Sequence, residues 1–208
     1  MKTFLAIIIC GATMLTRAEQ PTNTVPASST DASVETIVCI RHGEKPPGGL
    51  GQLTCRGLNR ALALPKVLLA KYGRPQFIFA PNPMHKVDGN RYYYVRPLAT
   101  IEPTAIRCGL PVNTAFGYDE IKGLENELKK PKYENATIFM AWEHGLLDDF
   151  ARQMVKHHGG EPKTVPPWPG SDYDTIFVFK ITKKKDGQEL FQFTISHEGL
   201  NNLSDECP

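Results

Sequence analysis

A histidine and an arginine stand together at the end of a predicted strand, where they could carry out phosphoryl transfer. The tetrapeptide Arg-His-Gly-Glu begins at Arg41 and places His42 directly after the apolar run 36–40. That run has the length and the β-branched residues of a buried strand, and the Gly- and Pro-rich stretch 43–49 predicts a loop. At this end of a strand in an open α/β sheet, an imidazole could attack phosphorus while a guanidinium binds the phosphate oxygens. Alone, the tetrapeptide could also be an ordinary polar turn.

Two further segments carry residues of the same kinds. Arg96 is followed four residues later by Thr100 at the predicted start of a helix, and the apolar run 138–142 ends at Glu143 and His144. A cation at a helix N-terminus is unfavourable unless an anion binds there. The position of Arg96 therefore favours a phosphate site over a plain surface arginine.

Together these segments resemble the histidine phosphatase superfamily, which includes the phosphoglycerate mutases. The resemblance extends over roughly residues 36–180 and includes a Leu-Thr-x-x-Gly helix opening at 53–57. The sequence resembles small secreted bacterial members of this superfamily more closely than it resembles the mutases. The resemblance implies a single-domain α/β protein, a three-layer α/β/α sandwich of the phosphoglycerate mutase-like type. It also implies a phosphatase of the histidine acid type that needs neither a metal ion nor a cofactor.

The resemblance also implies a role for each site residue. His42 is the expected nucleophile, and it would form a phosphohistidine that water then hydrolyses. His144 would stabilise the charge on the transferring phosphoryl group. The expected substrate-binding residues are Arg41, Arg96, Thr100 and Glu143. Because the arginines and His144 supply the positive charge, no metal is required.

The general acid that protonates the leaving group is expected to be a carboxyl group. Glu120 lies in the segment that supplies the acid in mutase-like relatives, and it is the favoured candidate. Glu143 is the alternative. If the strand before it stays extended, Glu143 and His144 point to opposite faces, and only one of them can reach the phosphate.

The remaining pattern alternates strands with helices, which is typical of βαβ units. Period-3.6 segments predict helices over 54–72, 96–108 and 146–158, with bends at Pro65 and Pro103. Strands are predicted over 77–80 and 138–142, and a closing hairpin over 175–181 and 190–195. The aromatic run 92–94 could form a strand or an aromatic wall for the substrate, and core packing is the favoured interpretation.

Three regions divide the chain. Residues 1–18 have a lysine, an apolar stretch and a small-residue end, which predict a secretory signal peptide rather than an uncleaved anchor. Residues 19–35 are rich in Thr, Ser, Pro and Ala and predict a disordered linker. The histidine phosphatase-like domain is expected over 36–208. The protein is therefore expected to be secreted or periplasmic, with no stable membrane insertion once the signal is removed.

The composition is that of a soluble globular protein, with 41% hydrophobic and 22% charged residues. A net charge of +2 is too small to predict a nucleic-acid partner, so a small phosphorylated molecule is the expected ligand. The domain has four cysteines, which could pair in three ways: Cys39, Cys55, Cys108 and Cys207. At least one disulfide is expected in an oxidising compartment, most plausibly using Cys55 and Cys108.

Two other functions fit the same residues. A phosphomutase would need a longer insertion that closes over its substrate, for which the chain has little room. A catalytically inactive relative that only binds a phosphate ligand would not need both His42 and His144. The physiological substrate depends on loops 45–52 and 81–96, whose residues follow no known code.

Overall fold

The computed structural model describes residues 32–208, which contain eight strands and four helices. The strands are β1 (Ala32–Arg41), β2 (Phe77–Phe79), β3 (Lys86–Val87), β4 (Tyr92–Tyr93), β5 (Val112–Asn113), β6 (Thr137–Trp142), β7 (Thr175–Lys184) and β8 (Glu189–His197). The helices are α1 (Cys55–Tyr72), α2 (Arg96–Cys108), α3 (Ile121–Leu128) and α4 (His144–His157). Two 3₁₀ turns cover Pro131–Tyr133 and Pro162–Thr164.

Six of the strands form one mixed sheet in the order β5-β2-β6-β1-β7-β8. The four strands β5, β2, β6 and β1 are parallel, and the hairpin β7–β8 continues the sheet in antiparallel fashion. In the register between β1 and β6, Arg41 lies opposite Trp142. The two strands therefore end side by side, and the residues that follow them, His42 and Glu143, emerge at the same edge of the sheet.

Helices cover both faces of this sheet. One face packs against α3 and α4 through a core that includes Trp142 and Phe150. The other packs against α1 and α2 through a core that includes Leu64 and Ile101. Strand β1 is apolar on both faces because it lies between these two helical layers. The structure thus confirms the predicted three-layer α/β/α sandwich and single domain.

The start of α1 packs closely under the tetrapeptide loop. Thr54 is the N-cap, and its side chain accepts a hydrogen bond from the backbone N–H of Gly57. A Cβ atom at Gly57 would lie only 2.5 Å from the carbonyl oxygen of Glu44, so a glycine is required at this position. The Leu-Thr-x-x-Gly pattern therefore caps the helix and lets the loop approach it.

Several boundaries differ from the predictions. Strand β1 begins at Ala32, within the predicted linker, because its first residues pair with the distant end of β7. The predicted signal peptide and the rest of the linker, residues 1–31, lie outside the described residues. Helix α4 begins at His144, two residues early, because Glu143 caps it. Helix α3 and strands β3 and β5 were not predicted, because they are too short to show a clear periodicity. Strand β4 lies in the run 92–94, for which a strand was one interpretation.

The disulfide prediction is partly wrong. Cys55 forms a disulfide, but its partner is Cys207, while Cys39 and Cys108 are buried and free. The C-terminal segment lies along the start of α1, where the side-chain amide of Asn59 donates hydrogen bonds to two backbone carbonyls of that segment. Within residues 32–208, no helix has the length and apolar character needed to cross a membrane.

Candidate active site

The two predicted arginine-bearing segments meet at the edge of the sheet where β1 and β6 end. The backbone N–H of His42 donates to the carbonyl of Trp142 at 3.0 Å, which continues the β1–β6 pairing by one residue. The hydroxyl of Thr100, in the first turn of α2, accepts from the N–H of Gly43 at 2.9 Å. The strand end and the helix start are therefore held against each other.

His42 is buried, with 2% of its surface exposed. Its Nδ1 lies 2.8 Å from the carbonyl oxygen of Gly43. Burial, helped by the positive charges of Arg96 and Arg41, lowers the pKa of His42 from 6.5 to about 3 against the opposing effects of the Gly43 carbonyl and Glu143. The imidazole is therefore neutral at pH 7. Because Nδ1–H donates to Gly43, the lone pair is on Nε2, the nitrogen available for attack.

Arg41 is held rigidly on the other side of the strand end. Its Nη1 donates to the carbonyls of Gly170 and Asp172, each at 2.8 Å. The guanidinium carbon lies 3.9 Å from the centre of the Tyr173 ring. The Nε–H of Arg41 is buried and has no hydrogen-bond partner within residues 32–208. This buried Nε–H is thus available to a ligand.

Arg96, the first residue of α2, is also buried. Its Nη1 donates to Oδ2 of Asp88 at 2.9 Å and to the carbonyl of Gly49 at 3.2 Å. Asp88 follows β3 and also accepts from the N–H of Gly51 at 3.1 Å. As in Arg41, the buried Nε–H of Arg96 lacks a partner in the described part of the chain. The positive charge of Arg96 is therefore balanced by Asp88, and the Nε–H of Arg96 is available to a ligand.

Glu143 and His144 form a pair where β6 passes into α4. Nδ1 of His144 lies 2.5 Å from Oε1 of Glu143. Oε2 of Glu143 accepts from the N–H of Leu146 at 2.9 Å. Burial would raise the pKa of Glu143, but the hydrogen bonds from His144 and from the helix N-terminus outweigh it and lower the pKa to about 2. Glu143 is thus ionised, and it contacts His144 directly because the strand has already ended at Trp142.

The structure brings together Arg41, His42, Arg96, Glu143 and His144, whereas the carboxylate of Glu120 bonds none of them within the described residues. Glu120 is exposed at the N-terminus of α3, and its Oε2 accepts from the N–H of Gly117 at 2.6 Å. Thr100 is in the site, but its single hydroxyl proton is donated to the carbonyl of Arg96 at 2.8 Å. Thr100 therefore positions the backbone on both sides and has no donor left for a phosphate.

A buried ion-pair network connects the tetrapeptide 41–44 to helix α1. Arg60 of α1 donates to both carboxylate oxygens of Glu44, at 3.0 and 2.7 Å, and also bonds Glu198. Arg60 is 1% exposed, so these pairs are desolvated and breaking one would leave an uncompensated charge. Glu44, the last residue of the tetrapeptide, thus has a structural role.

A cavity of about 540 Å³ adjoins the site. It lies between the loop after His42, the β3–β4 loop and Tyr173, and its lining residues are Lys45, Pro46, Pro47, Gly48, Gly49, Asp88, Arg91 and Tyr173. The two loops expected to determine specificity therefore line one open cavity close to Arg41 and Arg96.

Three site residues escaped the sequence prediction: Asp88, Tyr94 and Tyr173. None of them follows a predicted strand end, and core packing is the favoured interpretation of Tyr94 from the sequence. The unpaired charge of Arg96 at a helix start was the one available signal, since a buried guanidinium requires a carboxylate or an anion. It did not indicate which of the acidic residues is the partner.

Comparisons with known proteins bear on the fold. No family model matches the chain, and no curated protein matches its sequence. A solved structure from Nakamurella multipartitia, named as a candidate phosphohistidine phosphatase SixA, is similar with a TM-score of 0.51 and 16% identity, over 79% of this chain and 96% of that chain. A second structure, named as a candidate SixA from Agrobacterium tumefaciens, has a TM-score of 0.47 and 11% identity, over 75% of this chain and 97% of that chain. The first of these similarities, together with the layers and strand order, shows that this chain has a phosphoglycerate mutase-like α/β fold.

Proposed function

We propose that this protein is a metal-independent phosphatase that hydrolyses phosphate monoesters through a phosphohistidine formed on His42. The observation that carries the proposal is the state of His42, a neutral imidazole whose free Nε2 lies beside two buried arginines. A nucleophile without charge and two fixed cations suit the attack on a dianionic phosphoryl group. A site that only bound phosphate would not need a lone pair kept available for attack.

The reaction balances as two displacements at phosphorus. In the first, Nε2 of His42 forms a bond to phosphorus while the bond to the leaving oxygen breaks, and the leaving oxygen takes up a proton from solvent. In the second, water attacks the same phosphorus and gives a proton to solvent, the P–N bond breaks, and inorganic phosphate leaves as His42 returns to its neutral form. The free Nε–H donors of Arg41 and Arg96 bind phosphoryl oxygens throughout, and His144 supplies a further donor.

Protonation of the leaving group separates two candidate substrate classes. Glu143 is already ionised, and Glu120 is bound to its own loop, so no protonated carboxyl group contacts His42 or either arginine in the described residues. Leaving groups that need little help from an acid, such as aryl oxygens or the imidazole of a phosphohistidine, are therefore favoured over alkyl alcohols. Phosphohistidine is the second candidate substrate, and the name of the similar Nakamurella structure agrees with it.

We also propose that the protein works outside the cytoplasm. The Cys55–Cys207 disulfide supports this proposal, since disulfides persist in oxidising compartments. The predicted signal peptide at residues 1–18 lies outside the described residues. Determination of the N-terminus of the protein recovered from its host would test the export proposal directly, and an intact Met1 on cytoplasmic protein would contradict it.

Turnover of p-nitrophenyl phosphate and of a phosphohistidine peptide at mildly acidic pH tests the function. We expect inorganic phosphate as the product, no effect of EDTA, and competitive inhibition by vanadate. His42→Ala should lose nearly all activity, while His197→Ala, at an exposed position, should retain it. Rapid acid or alkali quenching should show an acid-labile, base-stable phosphoenzyme in the wild type alone. Full activity in His42→Ala would eliminate the mechanism, and activity restored by a divalent metal after EDTA would indicate another class of enzyme.

Phosphate transfer to a second substrate instead of water would support the phosphomutase alternative. Binding of phosphate without turnover of either substrate would support the inactive-relative alternative. Both are measured in the same experiment by following phosphate release and phosphate binding together.

A further inference from the structure

The hydroxyl of Tyr94 is a buried donor with no partner. Tyr94 is 1% exposed, and no group in residues 32–208 accepts its hydroxyl proton, since the neighbouring guanidinium of Arg96 can only donate to Oη. A hydroxyl removed from water without a partner destabilises the folded protein, so such groups are rare in native structures. Its presence at a site edge calls for a ligand that accepts its proton.

The surroundings of Tyr94 are those of the phosphate site. Its ring stands edge-on to His42, with 6.0 Å between ring centroids and an interplanar angle of 90°. The guanidinium carbon of Arg96 lies 4.8 Å from its ring centre. Burial raises the pKa of Tyr94 above its usual range, with Arg96, Glu143 and Arg41 as the charges that act on the phenol. The hydroxyl is therefore protonated at every relevant pH and sits among the groups assigned to phosphate binding.

Tyr94 is also held firmly in place. It lies just before α2, its backbone N–H donates to the carbonyl of His85 at 2.8 Å, and its ring contacts Tyr118 with 5.6 Å between centroids. A donor fixed in this way needs no reorganisation when charge develops on a bound group.

We propose that Tyr94 is a catalytic residue that donates a hydrogen bond from Oη to an oxygen of the transferring phosphoryl group. The inference rests on the proposed function. The buried donors of the site without an acceptor in the described chain include Nε–H of Arg41, Nε–H of Arg96 and Oη–H of Tyr94. The attacked phosphoryl group has three non-bridging oxygens that can accept from them.

The variant Tyr94→Phe tests this role because it removes the hydroxyl and keeps the ring. We expect kcat/KM for p-nitrophenyl phosphate to fall about 10- to 100-fold, the effect of losing one hydrogen bond to a charged group. The inhibition constant of vanadate should rise by a similar factor. The melting temperature should change little, because the hydroxyl proton has no acceptor in the folded protein without ligand.

Tyr133→Phe is the matched control. Tyr133 is as buried as Tyr94, but its hydroxyl donates to Oε1 of Glu127 at 3.0 Å, and neither residue bonds a site residue among the described ones. This control should lose stability and keep its kcat/KM and its vanadate inhibition.

The Tyr94 proposal is overturned if Tyr94→Phe keeps wild-type kcat/KM and vanadate affinity, or if it loses activity only in proportion to a loss of folded protein. Failure of the proposed function is distinguishable, since it would appear in the wild type as absent turnover. In that case calorimetry of vanadate binding to the wild type and to Tyr94→Phe still decides the contact: equal affinities, or no binding to either protein, overturn it.

The cavity beside the site could hold the rest of the substrate. The cavity of about 540 Å³ has one wall, Tyr173, that stacks on Arg41, and another, Asp88, that pairs with Arg96. It therefore opens onto the phosphate site and is placed to hold the leaving group. The charge of Asp88 is balanced by Arg96. Burial raises the pKa of Asp88, but the hydrogen bonds from Arg96 and Gly51 outweigh it and lower the pKa, and the positive charge of Lys45 adds to this lowering.

The charges left on the cavity wall are positive. Lys45 and Arg91 are both exposed cations that line it. We infer that the cavity holds a leaving group that carries a second anionic group, a carboxylate or another phosphate. This inference also rests on the proposed function.

Phenyl phosphate and 4-carboxyphenyl phosphate form a matched substrate pair for this test. The wild type should prefer the carboxylated substrate, and Lys45→Met and Arg91→Met should each reduce the ratio of the two kcat/KM values by about two- to fivefold, as for a partly exposed ion pair. Lys66→Met, at an exposed position on α1, should leave the ratio unchanged. An unchanged ratio in both cavity variants overturns the inference, whereas absent turnover of phenyl phosphate by the wild type counts against the proposed function instead.

Discussion

The hydroxyl of Thr100 accepts a hydrogen bond from the backbone N–H of Gly43 at 2.9 Å and so ties the start of α2 to the loop that carries His42. The same hydroxyl donates to the carbonyl of Arg96 at 2.8 Å. The buried side chain of Thr100 thus sets the spacing between His42 and Arg96. The Arg-x-x-x-Thr spacing follows from this geometry, because a threonine hydroxyl in a helix reaches the carbonyl four residues earlier.

Thr100→Val should lower both activity and stability. The substitution keeps the shape and leaves the buried N–H of Gly43 unpaired, at a cost of about 1–3 kcal/mol in the free energy of unfolding. We expect kcat to fall with it, since His42 loses its fixed position. Thr100→Ser keeps the hydroxyl and should retain most of the kcat. Denaturant unfolding and steady-state kinetics check both values, and wild-type behaviour in Thr100→Val would contradict the positioning role.

His42 should make the protein less stable in acid. Its pKa is about 3 when folded and near 6.5 when unfolded, so the unfolded chain binds more protons between these values. The stabilising contribution is therefore complete above pH 6.5 and is lost as the pH falls toward 3. The loss is about 1.4 kcal/mol per pH unit across that window. Subtracting the stability of His42→Gln from that of the wild type at each pH isolates this slope, and a difference that stays flat from pH 7 to 4 would contradict it.

Glu143→Gln should affect catalysis more than Glu120→Gln. The carboxylate of Glu143 holds His144 at 2.5 Å, whereas Glu120 bonds only its own loop among the described residues. We expect a lower kcat in Glu143→Gln with every leaving group and little change in Glu120→Gln. If Glu120 is the general acid, as the sequence hypothesis holds, Glu120→Gln should instead slow alkyl phosphates far more than p-nitrophenyl phosphate. Rates with leaving groups of graded pKa distinguish the two outcomes.

Gly57→Ala should displace the catalytic loop. A methyl group there would lie 2.5 Å from the carbonyl oxygen of Glu44 and 2.9 Å from its nitrogen, so backbone must move. We expect a loss of stability of about 1–3 kcal/mol, typical of overpacking, together with a lower kcat. Leu58→Ala, next along α1 at an exposed position, is the control and should be close to wild type. Unchanged kinetics in Gly57→Ala would show that the close approach does not matter for the site.

Cys55 and Cys207 should resist thiol labelling in the native oxidised protein, and Cys39 and Cys108 should react only after unfolding. Mass spectrometry should count two labelled thiols after denaturation without reductant and four with it. Cys207→Ser should destabilise the protein by about 2–5 kcal/mol, because the bond closes a long loop. Labelling at four sites without reductant in protein made in an oxidising compartment would contradict the disulfide.

Long elements with a clear period were predictable from the sequence. Helix α1 begins after the N-cap Thr54 and ends at Gly73, so its capping residues agree with its hydrophobic period. Strand β6 is a continuous apolar run. Short elements such as α3 and β5 depend on what packs against them, and their own residues carry too little pattern. The same limit explains the disulfide, since the pairing of Cys55 with a residue 152 positions away is a property of the folded chain.

By itself, the sequence determined the alternation of strands and helices and placed Arg41, His42 and His144 after strands. These features are local, because side-chain periodicity and the Gly and Pro breaks act within a few residues. The tertiary structure alone decided that Asp88 pairs with Arg96, that the ring of Tyr94 lies beside His42, and that the carboxylate of Glu120 accepts from Gly117. Those contacts depend on how distant segments pack, and a buried charge or hydroxyl takes whichever partner the packing brings within reach.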